Sequence, residues 1–247
     1  MLRLITIPIS HYCEKARWAL DRARLPYEEV AKLPGVHLLT TRKYHRRGTV
    51  PVLVHDGGAI VESTEILRWV DSRCPSVQHL FPEGGGAAEN ERWVELFDRK
   101  LGPATRLLGY SELLPDPQTF LAQMRRVYQG PSRAVLPVLL PLAAAGIRRR
   151  YGVDAERARR AHTRCREVFA EVAQALDSQG STYLSGERFS AADLTFAALA
   201  APLLLPPRYG GGFLAKDDMP AGFQALVEEF RDHPAGRFAL GIYERHR

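Results

Sequence analysis

A predicted strand passes into a predicted helix at the stretch Ser10-His11-Tyr12-Cys13-Glu14-Lys15-Ala16-Arg17. Residues 2–7, which precede it, are a short, half-alternating apolar run with β-branched side chains, which is typical of a strand. The apolar residues that follow recur at helical spacing, namely at Ala16, Ala19, Leu20 and Ala23. Charged residues lie on the other side of this predicted helix. Ser10 therefore lies at a helix N-terminus, where free backbone N–H groups and the helix dipole favour an anion. Its hydroxyl can donate one further hydrogen bond.

Length and composition indicate an ordinary globular chain. The 247 residues suit one large domain or two small ones. The net charge of +6 is mild, with 45% hydrophobic and 25% charged residues. We interpret the basic runs at 42–47 and 148–150 as solvated patches, so no nucleic-acid partner is expected.

The cysteines predict neither a metal site nor a disulfide framework, because Cys13, Cys74 and Cys165 are widely spaced. The N-terminus enters a strand within two residues and shows no signal-peptide pattern. A reducing, cytoplasmic location is therefore expected.

The first 76 residues predict the element order βαβαββα. Residues 27–31 give a second strand, parallel to the first across a helical crossover. Two apolar runs flank Asp56-Gly57-Gly58, which is a strong hairpin signal. Ser63 is then expected to cap a helix whose inner face carries Ile66, Leu67, Val70 and Cys74.

Three motifs in this order resemble the N-terminal domain of the cytosolic glutathione S-transferases, serine-type and bacterial in character. They are Ser-x-Tyr-Cys-x-Lys-x-Arg from Ser10, Gly48-Thr49-Val50-Pro51-Val52-Leu53, and Val61-Glu62-Ser63-Thr64-Glu65-Ile66-Leu67. The resemblance implies an α/β thioredoxin-like domain at 1–76, a linker at 77–86 and an all-α helical domain at 87–247. Glutathione would serve as co-substrate.

The resemblance also implies the glutathione-binding residues. Val50, before a cis Pro51, would pair its backbone with the cysteinyl residue of glutathione. Glu62 and Ser63 would hold the γ-glutamyl end, in keeping with their charge and hydrogen-bonding capacity. Tyr12 is a further candidate, with packing as its alternative. The glycine carboxylate has no evident partner, and His37, Lys43 and His45 are guesses.

Ser10 matches the position whose hydroxyl stabilises the thiolate in serine-type members. A free thiol with a pKa of about 8.5 is mostly protonated at neutral pH, and the thiolate is the nucleophile. Cys13 is a second catalytic candidate through mixed disulfides, although packing beneath the helix is the simpler interpretation. His11 and Thr49 depart from the usual family residues.

The remaining chain predicts helices. Ser190 and Asp193 form a capping box, with Phe189 and Leu194 at the staple positions, and Asp193 is expected to be structural. The apolar segment 131–150 contains two prolines and is too short to span a membrane. We favour a kinked helix that packs over the cleft, or plain core, over membrane contact.

The sequence thus predicts a glutathione transferase that attacks a small hydrophobic electrophile or a hydroperoxide, with detoxification as its context. The electrophile would lie between the domains, against residues 93–113 and 131–150. Two alternatives stay open: a non-catalytic glutathione- or protein-binding module, and a thiol-disulfide reductase that uses Cys13. A homodimer is expected from the resemblance, with Trp18 and Trp69 as candidate interface residues.

Overall fold

The computed structural model of the chain describes every residue except Val77 and Gln179. A mixed four-stranded sheet with the order β2-β1-β3-β4 forms the N-terminal part. Its strands are β1 (Leu2–Thr6), β2 (Tyr27–Ala31), β3 (Val52–His55) and β4 (Gly58–Val61). β1 runs parallel to β2 and antiparallel to β3, and β3 and β4 form the predicted hairpin with His55 opposite Gly58.

Three helices accompany these strands in the predicted order, two between strands and one after β4. They are α1 (His11–Arg22), α2 (His37–Thr41) and α3 (Ser63–Asp71). Together with the helices that follow, they confirm the predicted fold class, a thioredoxin-like α/β domain before an all-helical one. The Val50–Pro51 peptide bond is cis, as expected.

The expected cap of α3 was wrong by one residue. Glu62 occupies the N-cap position, and Ser63 is the first helical residue. Ile66, Leu67 and Val70 are buried as predicted. The helix ends at Asp71, before Cys74. The Asp71 carboxylate accepts hydrogen bonds from the backbone N–H groups of Leu80 and Phe81, which hold the following segment against the helix.

Helix α1 is buried on both faces over its first three turns, so three of its charged residues do not face solvent, whereas Asp21 near its end is exposed. It packs against α3 on one side and against C-terminal helix α9 (Ala191–Leu204) on the other. Glu14, Lys15 and Arg17 are each at most 2% exposed. Such burial is tolerated because each charge has an opposite partner, as described for the site below.

The C-terminal part is a helical bundle. Its remaining helices are α4 (Ala87–Leu96), α5 (Gly102–Leu113), α6 (Pro117–Val127), α7 (Pro131–Tyr151), α8 (Ala155–Gln179), α10 (Ala221–Asp232) and α11 (Pro234–His246). A π-helical turn, Phe97–Leu101, joins α4 to α5. Every residue of α9 is buried, which makes it the central helix of the bundle.

The predicted capping box opens α9. The Asp193 carboxylate accepts hydrogen bonds from the Ser190 N–H at 2.9 Å and the Ser190 hydroxyl at 2.7 Å. It also accepts the Leu184 N–H at 2.9 Å. Burial raises the pKa of Asp193 to about 6. These bonds agree with the structural role expected for this carboxylate.

The apolar segment predicted at 131–150 is helix α7, and Pro137 and Pro141 lie inside it. α5 packs against α8, and the pair α6–α7 is inserted in the chain between them. Leu136, Leu140 and Ile147 of α7 are buried, whereas Val138 and Leu142 are exposed. Among the described residues, no helix has the length and apolar character needed to cross a membrane.

The domain limits at 76 and 87 stay predictions, and Val77, the first residue of the predicted linker, lies outside the described residues. The core of buried apolar side chains runs through both parts of the chain, from Leu4 and Leu53 in the sheet to Leu199 in α9.

Candidate active site

A cavity of about 980 Å³ lies between the sheet domain and the helical bundle. Six of the seven residues that the sequence singled out line it: Ser10, Tyr12, Val50, Pro51, Glu62 and Ser63. The opposite wall comes from α5, α7 and the segment around 213–223. The cavity therefore joins the predicted glutathione residues to both ranges predicted to border an electrophile.

Ser10 occupies the N-cap position of α1, with an extended backbone (φ −73°, ψ 122°). Its side chain caps no backbone N–H of the helix. The Ser10 carbonyl accepts the Cys13 and Glu14 N–H groups at 2.9 and 3.0 Å. The hydroxyl is therefore not used for helix capping, and Ser10 lines the cavity, where its hydroxyl can donate a hydrogen bond to a ligand.

Cys13 does not line the cavity and is fully buried. Burial raises the pKa of its thiol to about 11, although the Arg17 charge and hydrogen bonds from the Ile7 backbone and the Ser10 hydroxyl act in the opposite direction. A reactive cysteine needs access and a low pKa. This environment suits packing beneath the helix, the simpler interpretation drawn from the sequence.

The segment before the cis Pro51 is held from behind by a histidine. The Nε2 atom of His45 accepts the Thr49 N–H at 2.9 Å and lies 3.1 Å from the Thr49 hydroxyl. Val50 follows at the cavity wall. His45 is therefore a support for this segment, and it does not itself line the cavity.

Glu62 and Ser63 form a concave corner where β4 passes into α3. Glu62 has φ 71°, a left-handed value that residues other than glycine seldom adopt and that costs on the order of 1–3 kcal/mol. The conformation turns the chain so that the α3 N-terminus borders the cavity. Ser63 is 4% exposed, yet it lines the wall. Free N–H groups and the helix dipole make this corner suitable for a carboxylate.

His11 lies beneath the site as a neutral side chain. It is 3% exposed, and its Nε2 atom is 3.0 Å from the Gly102 carbonyl of α5. Burial, with a smaller contribution from Arg106, lowers the pKa of His11 to about 3. A neutral imidazole that donates to this carbonyl therefore fixes α1 against α5.

Tyr12 crosses the boundary between the two parts of the chain. Its hydroxyl donates to the Asp98 carbonyl at 2.8 Å and packs so closely on Gly102 that no Cβ would fit there. Burial raises its pKa above the ordinary value. Its hydroxyl is already committed to the protein, so the structure favours the packing interpretation of Tyr12.

A buried ion pair also spans this boundary. The Lys15 ammonium lies 2.9 Å from both carboxylate oxygens of Asp98 and 2.5 Å from the Thr64 hydroxyl. Lys15 is fully buried and Asp98 is 24% exposed. The pair fixes the π-helical turn against α1 and α3, beside the cavity.

The wall formed by the helical bundle is apolar and aromatic, with arginines set into it. Tyr110 and Tyr151 stack with ring centres 5.8 Å apart, and Arg106 lies over the Tyr151 ring at 4.3 Å. Apolar side chains complete the wall, among them Leu113, Leu139, Ile147, Phe213 and Phe223. Such a surface suits a flat, apolar second substrate.

Sequence reasoning missed Asp98 and Arg106, because periodicity does not show which side of a bundle helix faces a cleft. Of the three guessed carboxylate partners, His37 lines the cavity, whereas Lys43 does not and packs over Tyr44. Among the described residues, no group of three or more His, Cys, Asp or Glu side chains is arranged to hold a metal ion.

Comparison with known proteins agrees with this geometry. Residues 4–78 match the family model "Glutathione S-transferase, N-terminal domain". The chain is 22% identical over 240 residues to glutathione S-transferase U13 of Arabidopsis thaliana, covering 95% of this chain and 88% of that protein.

Solved structures share the fold over nearly the whole chain. Beta-etherase LigF of Sphingobium sp. strain SYK-6 aligns with a TM-score of 0.61 and 20% identity, covering 97% of this chain and 98% of that one. A glutathione S-transferase of Methylobacterium radiotolerans, in complex with glutathione sulfonate, aligns with a TM-score of 0.55 and 21% identity, covering 97% and 94%.

These findings confirm the resemblance to glutathione S-transferases that the three motifs carry, and the serine-type, bacterial subtype stays a prediction. Residues 4–78 match the N-terminal domain model of the glutathione S-transferases, and the chain as a whole shares the fold of the solved structures named above.

Proposed function

We propose that the protein is a glutathione transferase of the serine type that joins the thiol of glutathione to an electrophile held by α5 and α7. The observation that carries the proposal is the convergence of Ser10, Val50, Glu62 and Ser63 on one cavity that continues into an aromatic wall. One end of the cavity thus suits a peptide with two carboxylates, and the other suits an apolar molecule.

Binding would use backbone and side-chain polarity together. The Val50 backbone would pair with the cysteinyl residue of glutathione. The α3 N-terminus with Ser63 would receive the γ-glutamyl carboxylate, and Glu62 would face the ammonium group. The thiol would then lie beside Ser10 at the N-terminus of α1.

Ser10 would activate the thiol by donating a hydrogen bond to the thiolate. Lowering a thiol pKa by two units requires about 2.7 kcal/mol. A hydrogen bond to a charged acceptor contributes about 1.5–3 kcal/mol, and a helix N-terminus adds about 0.3–1 kcal/mol. Because these two contributions are large enough, Lys15 and Arg17, already paired with carboxylates, are not needed for activation.

The thiolate would attack the electrophilic carbon, forming a C–S bond while the leaving group departs with its electron pair. The thiol proton passes to solvent. The protein contributes positioning and the thiolate, which are the two requirements of this reaction.

The test is calorimetric titration with glutathione, followed by turnover of 1-chloro-2,4-dinitrobenzene. Wild-type protein is expected to bind glutathione and to conjugate it. Ser10→Ala should still bind glutathione, with turnover reduced on the order of 10-fold or more. The control Ser72→Ala, at an exposed serine of the same domain, should match wild type. Binding without turnover in wild type would favour the non-catalytic alternative. Absence of binding at millimolar glutathione would refute the proposal.

A thiol-disulfide reductase is not favoured, since Cys13 is buried away from the cavity. A cytoplasmic location and a homodimer stay predictions from the sequence and the family resemblance.

A further inference from the structure

We propose that the second substrate of this transferase is an aromatic electrophile that carries an acidic group, and that Arg106 receives that group. The inference rests on the proposed function and specifies the chemical class of the electrophile that accepts the thiolate. The observation behind it is an arginine without an anionic partner inside an aromatic wall.

Arg106 is half-buried and lines the cavity on α5. Its contacts are with rings: its guanidinium lies 4.3 Å from the centre of Tyr151 and 5.9 Å from the centre of Tyr12. In the described part of the chain, no carboxylate lies within 4 Å of it, and it donates no hydrogen bond to a described residue. A guanidinium has five N–H donors in a planar fork, which match a carboxylate or a similar anion.

Two other charged side chains of the wall, Asp98 and Arg99, already have partners, whereas Arg47, Arg149 and Arg150 are exposed to solvent. Asp98, the neighbouring carboxylate, is occupied by Lys15 and Thr64. Arg99 lies at the rim, is 78% exposed and pairs with Glu95. Arg106 is therefore the least exposed of the arginines that line the cavity, and its guanidinium lies against the Tyr151 ring that stacks on Tyr110.

The charge balance of the cavity leaves room for a second anion. Five arginines line it, namely Arg47, Arg99, Arg106, Arg149 and Arg150, against the carboxylates of Glu62 and Asp98. Glutathione brings two carboxylates and one ammonium group, so it would neutralise only a small part of the positive charge of the cavity. The exposed arginines at the mouth favour the approach of an anion, and Arg106 is placed to hold it.

The geometry specifies the ring as well as the charge. Tyr110 follows Arg106 by four residues on α5, so both side chains lie on one face of that helix. The Tyr151 ring from the end of α7 stacks on Tyr110 at 5.8 Å with the planes 23° apart. A flat aromatic ring that packs on this pair would bring an acidic substituent within reach of the guanidinium.

The reaction remains a substitution. For 4-chloro-3-nitrobenzoate, the glutathione thiolate would form a bond to the ring carbon that carries chlorine, and chloride would leave with the electron pair of the C–Cl bond. The carboxylate at the opposite end of the ring would stay unchanged, held by Arg106.

The test compares this acid with its neutral isostere, 4-chloro-3-nitrobenzamide, in wild type and in Arg106→Met. Wild type is expected to prefer the acid, and Arg106→Met to lose on the order of 10- to 100-fold in kcat/KM for the acid while keeping its rate with the amide. Arg99→Met, a second arginine of the wall that already has a partner, is expected to keep the preference for the acid.

Binding distinguishes this inference from the proposed function. S-Methylglutathione and the two S-aryl glutathione products are titrated by calorimetry, which needs no turnover. The proposal expects Arg106→Met to weaken only the acidic product. If S-methylglutathione fails to bind wild type, the proposed function itself fails.

Two other results would overturn the inference alone. One is equal affinity of wild type for the acidic and neutral products while S-methylglutathione still binds. The other is a pattern in Arg106→Met in which kcat/KM falls equally for both acceptors. In that pattern the variant also binds S-methylglutathione more weakly, or the pKa of the bound glutathione thiol rises. That pattern would assign Arg106 to glutathione and not to the acceptor.

Discussion

Replacement of His11 by glutamine isolates the energetic consequence of burying a histidine beneath the site. The pKa of His11 falls from 6.5 to about 3 in the folded protein because the ring is buried and Arg106 is near. A folded-state pKa below the unfolded value means that folding excludes the proton. His11 therefore stabilises the fold fully above pH 6.5, and that stability is lost as the pH falls toward 3.

The magnitude follows from the linkage between pKa and folding. A pH of 5.0 lies about 1.5 units below the pKa of histidine in the unfolded chain. Each unit of that difference lowers the free energy of unfolding by about 1.36 kcal/mol. Wild type should thus lose about 2 kcal/mol more than His11→Gln between pH 7.5 and pH 5.0. Glutamine can still donate to the Gly102 carbonyl, so the variant keeps the contact and removes the titration.

The assay is urea unfolding of both proteins at the two pH values. Other titrating groups, Asp193 among them, are common to both and cancel in the difference. A parallel NMR titration should show that the His11 ring stays neutral down to about pH 4. Equal losses of stability in the two proteins, or a ring that titrates near 6.5, would refute the reasoning.

Three further predictions concern single contacts. Asp98→Asn leaves the buried Lys15 ammonium without its partner and should lower the free energy of unfolding in urea by about 3 kcal/mol. A decrease of less than about 0.5 kcal/mol would show that the pair does not stabilise the fold. Ser190→Ala should cost about 1 kcal/mol by the same measurement, and an unchanged midpoint would contradict the capping role. Cys13→Ala should retain glutathione conjugation in a steady-state assay, and a loss comparable to that of Ser10→Ala would restore Cys13 as a catalytic candidate.

Much of the fold could be predicted where its signals are local. The hairpin at Asp56-Gly57-Gly58 and the capping box at Ser190 depend on neighbouring residues and were confirmed. The α3 cap was missed by one position, since nothing in the sequence shows that Glu62 adopts a left-handed backbone.

Long-range packing explains the wrong predictions. Trp18 was a candidate for a dimer interface, but it is 1% exposed, and its Nε1–H donates to the His246 carbonyl near the end of α11. The C-terminal residues cover the face of α1 that periodicity left open. Arg247, for example, pairs with the buried carboxylate of Glu14.

The candidate site divides in the same way. That Ser10, Val50, Glu62 and Ser63 would lie together could be predicted because each belongs to a short motif, and the cavity brings them together. Their role in binding glutathione stays a prediction. The acceptor half could not be predicted, because Arg106 and Tyr151 come from separate helices and meet only after the bundle has folded.

The measurement that tests the central claim most directly is the pH titration of thiolate absorbance for glutathione bound to wild type and to Ser10→Ala. The account predicts a thiol pKa about two units below the free value of about 8.5 in wild type, and a return most of the way to that value in Ser10→Ala. A bound thiol with an unshifted pKa, or an equal shift in both proteins, would contradict the role assigned to Ser10.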